Sequence, residues 1–542
     1  MFTNLQIYKL ITNIINYFIL FSIFIISQYL CNNCDIILYI SDNKDLIDPL
    51  IYIAVSPELF LIGLIIYFLL FISFFNKYNQ NVSFIKSMIM FLIIFLLVEL
   101  KLLFILYSYN LEFSYFNDQF IINNFIVFIK ILLIFVTIFF FISMYDNIDN
   151  ENYLNMELPL IILISLVGMF ILVSANDLFI MYLALELQSL ALYIICAIKR
   201  YSNLSIEAGL KYFILGSFSS AILLLGISLI YGLLGTTNYY ELAICLYPED
   251  LYANIKIIYF SIGCIFIGLL FKLGIVPFHL WIADVFEGSP NIITYFFAVV
   301  PKIAILFVFY KLFFTVFVSS LSIFSPIMTI CSILSILIGS ILALYQVKIK
   351  RFFAYSAIAH MGYILLSMSL GSYLSIYVSF YYLFIYILVS LNIFTIYLVI
   401  YRQDKSSLKN IVDGISVLHS NFLLAFFFVV ALLSVAGIPP LAGFFGKLYV
   451  FYLLVETGNY FLATFVVLMS VLSSAYYIRF VRFILFTEII NEQPITFIQP
   501  ITEVQAYLIS FLFILNVCFI FFQGPLLILF DNIFLNIIIC LL

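Results

Sequence analysis

Apolar stretches of about 20 residues follow one another along the whole chain, separated by short polar turns. A run of that length crosses a bilayer as a helix. Fifteen spans can be drawn: 7–30, 59–75, 84–108, 121–145, 158–175, 177–198, 207–234, 254–287, 291–319, 325–345, 352–371, 374–401, 418–456, 459–486 and 505–530. Two are too long for one straight crossing, and proline interrupts both: Pro277 in the eighth, Pro439 and Pro440 in the thirteenth. Proline lacks an N–H and clashes with the preceding turn, so both helices are predicted to break inside the membrane. Backbone groups freed at that depth are tolerated only when buried in protein or facing a wet cavity.

Composition fixes the class. The 542 residues are 66% hydrophobic and 9% charged, against roughly 25% charged in soluble proteins. An all-α polytopic membrane protein of about 15 helices is expected. The net charge of −5 is small and dispersed, which gives nucleic acid no surface to bind. Abundant Phe (64) and Tyr (40) beside a single Trp look like the coding bias of an AT-rich genome, as in organelles. Of the 8 cysteines only Cys31 and Cys34 lie close together, in "CNNC". One CxxC without a second pair reads as two unrelated loop cysteines. The first apolar segment is longer than a signal-peptide core and lacks a cleavage site, so it is expected to be retained.

Lysine and arginine collect in loops after even-numbered spans, at Lys77, Lys199, Arg200, Lys348, Lys350, Arg351, Arg402, Lys405 and Lys409, with Arg479 and Arg482 at a helix end. Loops after odd-numbered spans carry acidic runs such as "YPED" at 247–250. The basic side is therefore expected to face the cytoplasm or matrix. GxGxxG, P-loop, HExxH and cysteine-cluster motifs are missing from the sequence. The chain shows no means of binding NADH, flavin, ATP, haem or an iron–sulfur cluster.

In the middle of the chain six ionisable residues stand well inside spans: Glu186, Lys211, Lys272, Lys302, His360 and Lys447. Each lysine or acid at mid-helix costs about 2.5–3.5 kcal/mol on insertion scales, so such residues need partners or water. Snorkelling accounts for Lys199 and Arg200 at a helix end. It does not account for Lys302, about 12 positions and roughly 18 Å beyond Pro290. Two readings stand: structural ion pairs that hold helices together, or a proton path. A lysine ordinarily titrates at about 10.4, so exchange near neutral pH needs about 4 kcal/mol of destabilisation, which burial supplies. Moving one charge against roughly 150 mV costs about 3.5 kcal/mol, a matching scale. A movable Glu186–Lys211 pair would then control whether Lys272 holds its proton. Their contact needs a bent helix or a long reach, because the turn at 199–203 places them at unequal depth. His279, just past Pro277, either lines the break or caps carbonyls there. Asp284 is either a proton entry group or an ordinary solvated residue.

The segments "LALELQSLALY", "EAGLKYFILGSFSSAILLLGISLIYG", "FKLGIVPFHLWIADVFEGSP" and "KRFFAYSAIAHMGYILL" occur in an order that resembles the antiporter-like membrane subunits of respiratory complex I. These are similar in turn to subunits of cation/proton antiporters and membrane-bound hydrogenases. The pattern most resembles the subunit 2 branch, the bacterial N type, from about Glu157 to Tyr452. A lysine after "GIPPLAGFFG" fits that branch better than subunit 4.

The resemblance implies fourteen helices with two inverted five-helix repeats, each containing one broken helix. Residues 1–57 would be an extra helix and polar loop, and 58–157 the N-terminal helices. The repeats would occupy 158–319 and 320–486, and 487–542 would be a C-terminal helix and tail. It further implies a coupling pair at Glu186 and Lys211, a central proton lysine at Lys272, a connecting relay at Lys302 and His360, and a terminal lysine at Lys447. The function implied is proton pumping within NADH:ubiquinone oxidoreductase of the mitochondrial inner membrane. FMN, iron–sulfur clusters and ubiquinone would belong to partner subunits, and the chain would touch neighbouring antiporter-like subunits and lipid. Alternatives from other classes are a cation/proton antiporter subunit, a plastid or bacterial relative, or a scaffold whose charges are structural ion pairs. The sequence departs from the family pattern in its extra first span and in "EGSPNIITYFF", which lacks the usual proline-valine after "GSP". It offers no candidate for the long lateral helix of subunit 5.

Overall fold

Helices follow the apolar runs nearly one for one. The computed structural model describes residues 47–74, 82–109, 111–148, 156–199, 201–246, 255–400, 408–414, 421–486 and 501–541. The expected first span, Cys31 and Cys34 lie outside the described residues. Met1–Ser56 and Pro57–Leu542 are separate compact units.

In chain order the helices are α1 (Ile47–Phe74), α2 (Val82–Ser108), α3 (Asn124–Asn147), α4 (Glu157–Ser174), α5 (Leu178–Cys196), α6 (Asn203–Leu234), the short α7 (Tyr239–Leu246), α8 (Ile255–Leu273), α9 (Leu280–Gly288) and α10 (Asn291–Lys311). There follow α11 (Leu321–Tyr345), α12 (Ile349–Met368), α13 (Tyr373–Val399), α14 (Phe422–Ala436), α15 (Ala442–Glu456), α16 (Tyr460–Leu485), α17 (Glu503–Val517) and α18 (Phe519–Leu541). A hairpin of β1 (Phe113–Tyr115) and β2 (Phe120–Ile122) joins α2 to α3, with Ser114 opposite Ile121.

Among the described residues, 11 helices are long and apolar enough to cross a membrane, or 12 if a bent pair is counted as one span. Four of the expected spans are not among these eleven. The first is outside the described residues. The span at 352–371 is α12, made less apolar by Lys350, Arg351 and His360. The thirteenth is split into α14 and α15, and the fifteenth bends by 73° between Val517 and Phe519. Pro525 lies well past that bend, so proline did not mark it.

Both expected breaks are present and share one backbone design. At the end of α8, Gly274 is left-handed (φ 72°) and donates to Phe271 O, while Ile275 donates to Leu270 O. At the end of α14, Gly437 (φ 88°) donates to Ser434 O and Ile438 to Leu433 O. This paired pattern is the Schellman cap, which satisfies helix-end carbonyls before the chain turns away. Proline follows within three residues each time and cannot resume the helix. Trp281 pins the first break: its Nε1 donates to Phe271 O at 3.1 Å and its ring stacks on Tyr212.

Two groups of connections mark the ends of the bundle. Backbone bridges tie Phe120 to Ala175 and Asp177 to Asn238, gathering the hairpin with the α4–α5 and α6–α7 turns. At the opposite end of α10, Lys350 donates to Ser289 O, and Lys348 and Arg351 pair with Glu287. α10 runs between these ends with every residue from Asn291 to Tyr310 buried, and α13 is nearly as enclosed.

Candidate functional site

The central helices bring four of the expected groups into one row. Lys272, in the last turn of α8, donates to Tyr193 Oη of α5 at 3.3 Å, with the Tyr193 ring 5.7 Å from its ammonium. A cavity of about 30 Å³ holds Lys272 and Lys302 together, walled by Gln188, Ser189, Tyr212 and Pro301. Lys302 on α10 donates to Tyr386 Oη at 3.1 Å, and that hydroxyl donates to Ala298 O at 3.2 Å.

Tyr386 also borders a second cavity of about 40 Å³, with His360, Tyr382, Ser390 and Tyr477. His360 Nδ1 lies 2.8 Å from Tyr382 Oη, and Nε2 lies 3.5 Å from Tyr477 Oη. One water needs roughly 10–15 Å³ of such space, so each cavity has room for about two or three. Beyond His360, Lys447 on α15 donates to Ala436 O and to Ser473 Oγ, each at 2.7 Å. Ala436 is the last residue of α14, so the carbonyl end of the broken helix holds the ammonium. Lys272, Lys302, His360 and Lys447 are each under 9% exposed.

Glu186 and Lys211 do not meet. Lys211 pairs with Glu207 at 2.7 Å, one turn away, and with Asp284 at 2.8 Å. The expected Glu186–Lys211 contact is thus replaced, and the reason is helix face. α6 buries Ala208, Tyr212 and Gly216, leaving Lys211 on its half-exposed edge toward α9. Glu186 has a buried Oε1 with no hydrogen-bond partner among the described residues. Asp284 is no isolated solvated group: it also pairs with Arg351 at 3.1 Å. His279 precedes α9 within reach of the Pro277 backbone, and its Nδ1 is buried without a partner.

Sequence reasoning missed the tyrosines. Tyr193, Tyr382, Tyr386 and Tyr477 supply the hydroxyls beside the basic groups, yet 40 tyrosines look like composition. The spacing of Tyr382 and Tyr386, one turn apart on α13, was the available signal. Also missed were Glu58, Glu99, Lys130 and Lys311, charges in apolar runs far in sequence from Pro277 and Pro439.

Buried amines in a row beside two interrupted helices define an antiporter-like membrane protein, and comparison with known proteins agrees. Residues 175–473 match the family model for the membrane region of NADH:quinone oxidoreductase and Mrp antiporter subunits. NADH-ubiquinone oxidoreductase chain 2 of Marchantia polymorpha is 39% identical over 414 residues, 76% of this chain and 83% of that one. NADH-quinone oxidoreductase subunit N of Pelagibacter ubique is 37% identical over 433 residues, 80% of this chain and 89% of that one. The chain belongs to this family of antiporter-like complex I membrane subunits, in its chain 2 and subunit N branch. In fold it is similar to a chain of respiratory complex I from Thermus thermophilus, with TM-score 0.70, 23% identity, 87% of this chain and 98% of that one covered. A chain of the Mrp complex from a Dietzia species gives TM-score 0.76 at 18% identity, covering 89% and 97%. At those identities the likeness concerns fold alone.

Proposed function

We propose that this chain translocates protons within the membrane arm of an NADH:quinone oxidoreductase, along Lys272, Lys302, His360 and Lys447, while partner subunits transfer electrons. One observation carries the reading: Tyr386 bonds Lys302 and lines the cavity of His360, so one hydroxyl joins the two halves. A proton leaves the Lys272 ammonium for water in the smaller cavity as that water gives one to the Lys302 amine. Tyr386, donor and acceptor at once, continues the path. His360 takes a proton on one ring nitrogen and releases one from the other, because each faces a tyrosine hydroxyl. Like charges in so small a volume repel, so an ammonium arriving at one position favours release from the next. Glu186 acts on the Lys272 ammonium from α5, and Lys211 with Asp284 stands at the basic-loop end as the entry side.

Within this reading 158–319 and 320–486 are two inverted five-helix repeats, and the shared Schellman geometry of their breaks supports the pairing. Residues 58–157 and 487–542 flank them, and 1–57 are an addition. FMN, iron–sulfur clusters and ubiquinone reside in partner subunits, neighbouring antiporter-like subunits and lipid surround the chain, and the membrane is the mitochondrial inner membrane. The coding bias supports that location.

The test is Lys302→Met in the assembled complex, measuring protons moved per NADH oxidised. A lower ratio with retained NADH oxidation supports the relay, and an unchanged ratio overturns it. Normal assembly with normal pumping in both Lys272→Ala and Glu186→Ala would leave only the scaffold reading.

A further inference from the structure

Among the described residues outside the row, three acidic or basic side chains are the most deeply buried. Glu99 on α2 is 0% exposed, Lys130 on α3 1%, and Glu58 on α1 7%. Lys130 forms an ion pair with Glu58 Oε1 and lies 5.7 Å from the Phe170 ring. Among the described residues, Glu58 Oε2 and both oxygens of Glu99 are buried with no hydrogen-bond partner. Glu58 and Lys130 lie near enough for their charges to bear on Glu99.

The location is distinct from the row. Glu99 lies nine residues before the end of α2, about 13 Å along the axis, and Lys130 six residues into α3, about 9 Å. Both depths are measured from the hairpin end, opposite the basic loops. Lys311 of α10 faces Lys130 from that same end: it donates to Ala175 O and sits 5.3 Å from the Tyr239 ring. Among the described residues it has no carboxylate partner. Tyr115 of the hairpin is a further titratable group within reach of Glu58.

The charge count then decides the state of the cluster. Lys130 can neutralise one carboxylate, and it is committed to Glu58. An ionised Glu99 would be a buried carboxylate with neither hydrogen bond nor counter-ion from the described residues, which costs several kcal/mol on the order of a buried unpaired ion. Neutralising it takes one proton. Lys130 has three N–H groups, so its ammonium can turn toward Glu99 if the proton moves to Glu58.

We propose that Glu58, Glu99 and Lys130 form a second proton-binding site near the hairpin end, in which one proton is shared by the two carboxyl groups. In the arrangement seen, Glu99 is a carboxylic acid and Glu58 a carboxylate paired with Lys130. In the alternative, the O–H bond of Glu99 breaks, one forms on Glu58, and Lys130 pairs with Glu99; net charge is unchanged. The site stands whether or not the Lys272–Lys447 row conducts.

Infrared spectroscopy of the assembled complex tests it through the carbonyl stretch of protonated carboxylic acids, identified by its shift in D2O. At neutral pH the wild-type band should lose one component in Glu99→Gln. The same component should vanish in Glu58→Gln, because Lys130 is then free to pair with an ionised Glu99. Glu99→Asp keeps an acid and should move the band rather than remove it, which decides the matter if Glu99→Gln does not assemble. A spectrum in this region unaltered by Glu99→Gln or Glu99→Asp overturns the site. A band lost in Glu99→Gln but kept in Glu58→Gln overturns the sharing.

Discussion

Lys302 and His360 lie on different helices and share no hydrogen bond, yet each meets Tyr386: the lysine through the hydroxyl at 3.1 Å, the imidazole through its ring, centroid to centroid 5.6 Å. Tyr386→Phe keeps the ring and its packing and deletes only the hydroxyl. A hydrogen bond to a charged group is worth about 1.5–3 kcal/mol, and every 1.4 kcal/mol is about tenfold in rate. Proton handover past this point should slow by roughly ten- to a hundredfold, while assembly remains normal. A pH-sensitive dye in proteoliposomes, read against NADH oxidation, measures this. Equal coupling in Tyr386→Phe would show that protons bypass the hydroxyl.

Gly437 serves its break twice. Its φ of 88° is left-handed, and a Cβ built there would stand 2.9 Å from Lys447 Cδ and 3.3 Å from Nζ. Gly437→Ala should lose roughly 1–2 kcal/mol to backbone strain and push Lys447 away from the Ala436 carbonyl. Gly274→Ala should be worse, because its Cβ would fall 1.8 Å from Ile282 Cδ1 in the packed side of the other break. The amount of assembled complex and its thermal midpoint should therefore rank wild type, Gly437→Ala, Gly274→Ala in falling order. The reverse order would mean the breaks are held by something other than these caps.

Tyr193 reaches Lys272 only because α6 has no side chain at Gly216, where an added Cβ would lie 2.0 Å from the tyrosine hydroxyl. Gly216→Ala should displace Tyr193 and lower assembly. Tyr193→Phe should lower pumping alone, because it removes the Lys272 bond but no bulk. The double variant should recover only part of the assembly lost in Gly216→Ala, since the hydroxyl clash goes while the Cβ still stands 2.6 Å from the ring Cζ that phenylalanine keeps. Coupling between adjacent residues makes such a cycle non-additive. Assembly in the double variant no better than in Gly216→Ala alone would place the clash elsewhere.

How much of this was legible in the sequence depends on which physical rule set each feature. Pro277, Pro439 and Pro440 showed where α8 and α14 end because proline acts through its own backbone, whatever surrounds it. Lys272, Lys302, His360 and Lys447 stood out because charge in an apolar run is rare. The bend after Val517 was hidden, having no proline or glycine at the break. Tyr386 was hidden among many tyrosines: a phenol enters an apolar span at little cost, so its presence signals nothing until the neighbours are known. The partner of Lys211 was hidden because it depends on the rotation of α6 about its axis. Glu207 and Asp284 flank that face, and Glu186 does not.

That rotation has a consequence for the entry side. Lys211 is tied to Glu207 and Asp284, and Asp284 in turn to Arg351, in a network half exposed at the edge of the bundle. Exposed pairs are weak singly and screened by salt. Asp284→Asn should therefore change turnover by less than about threefold at physiological salt, with a larger effect at low ionic strength where Lys211 feels the loss. Because Lys211 and Glu186 are separate, the effects of Glu186→Gln and Lys211→Met on turnover should multiply. Those of Lys211→Met and Asp284→Asn should not, because one interaction is removed by either. Pumping rates of the three single and two double variants, at two salt concentrations, measure this. Strong non-additivity between Glu186 and Lys211 would mean that the working enzyme visits a state in which Lys211 leaves α9 and crosses to α5.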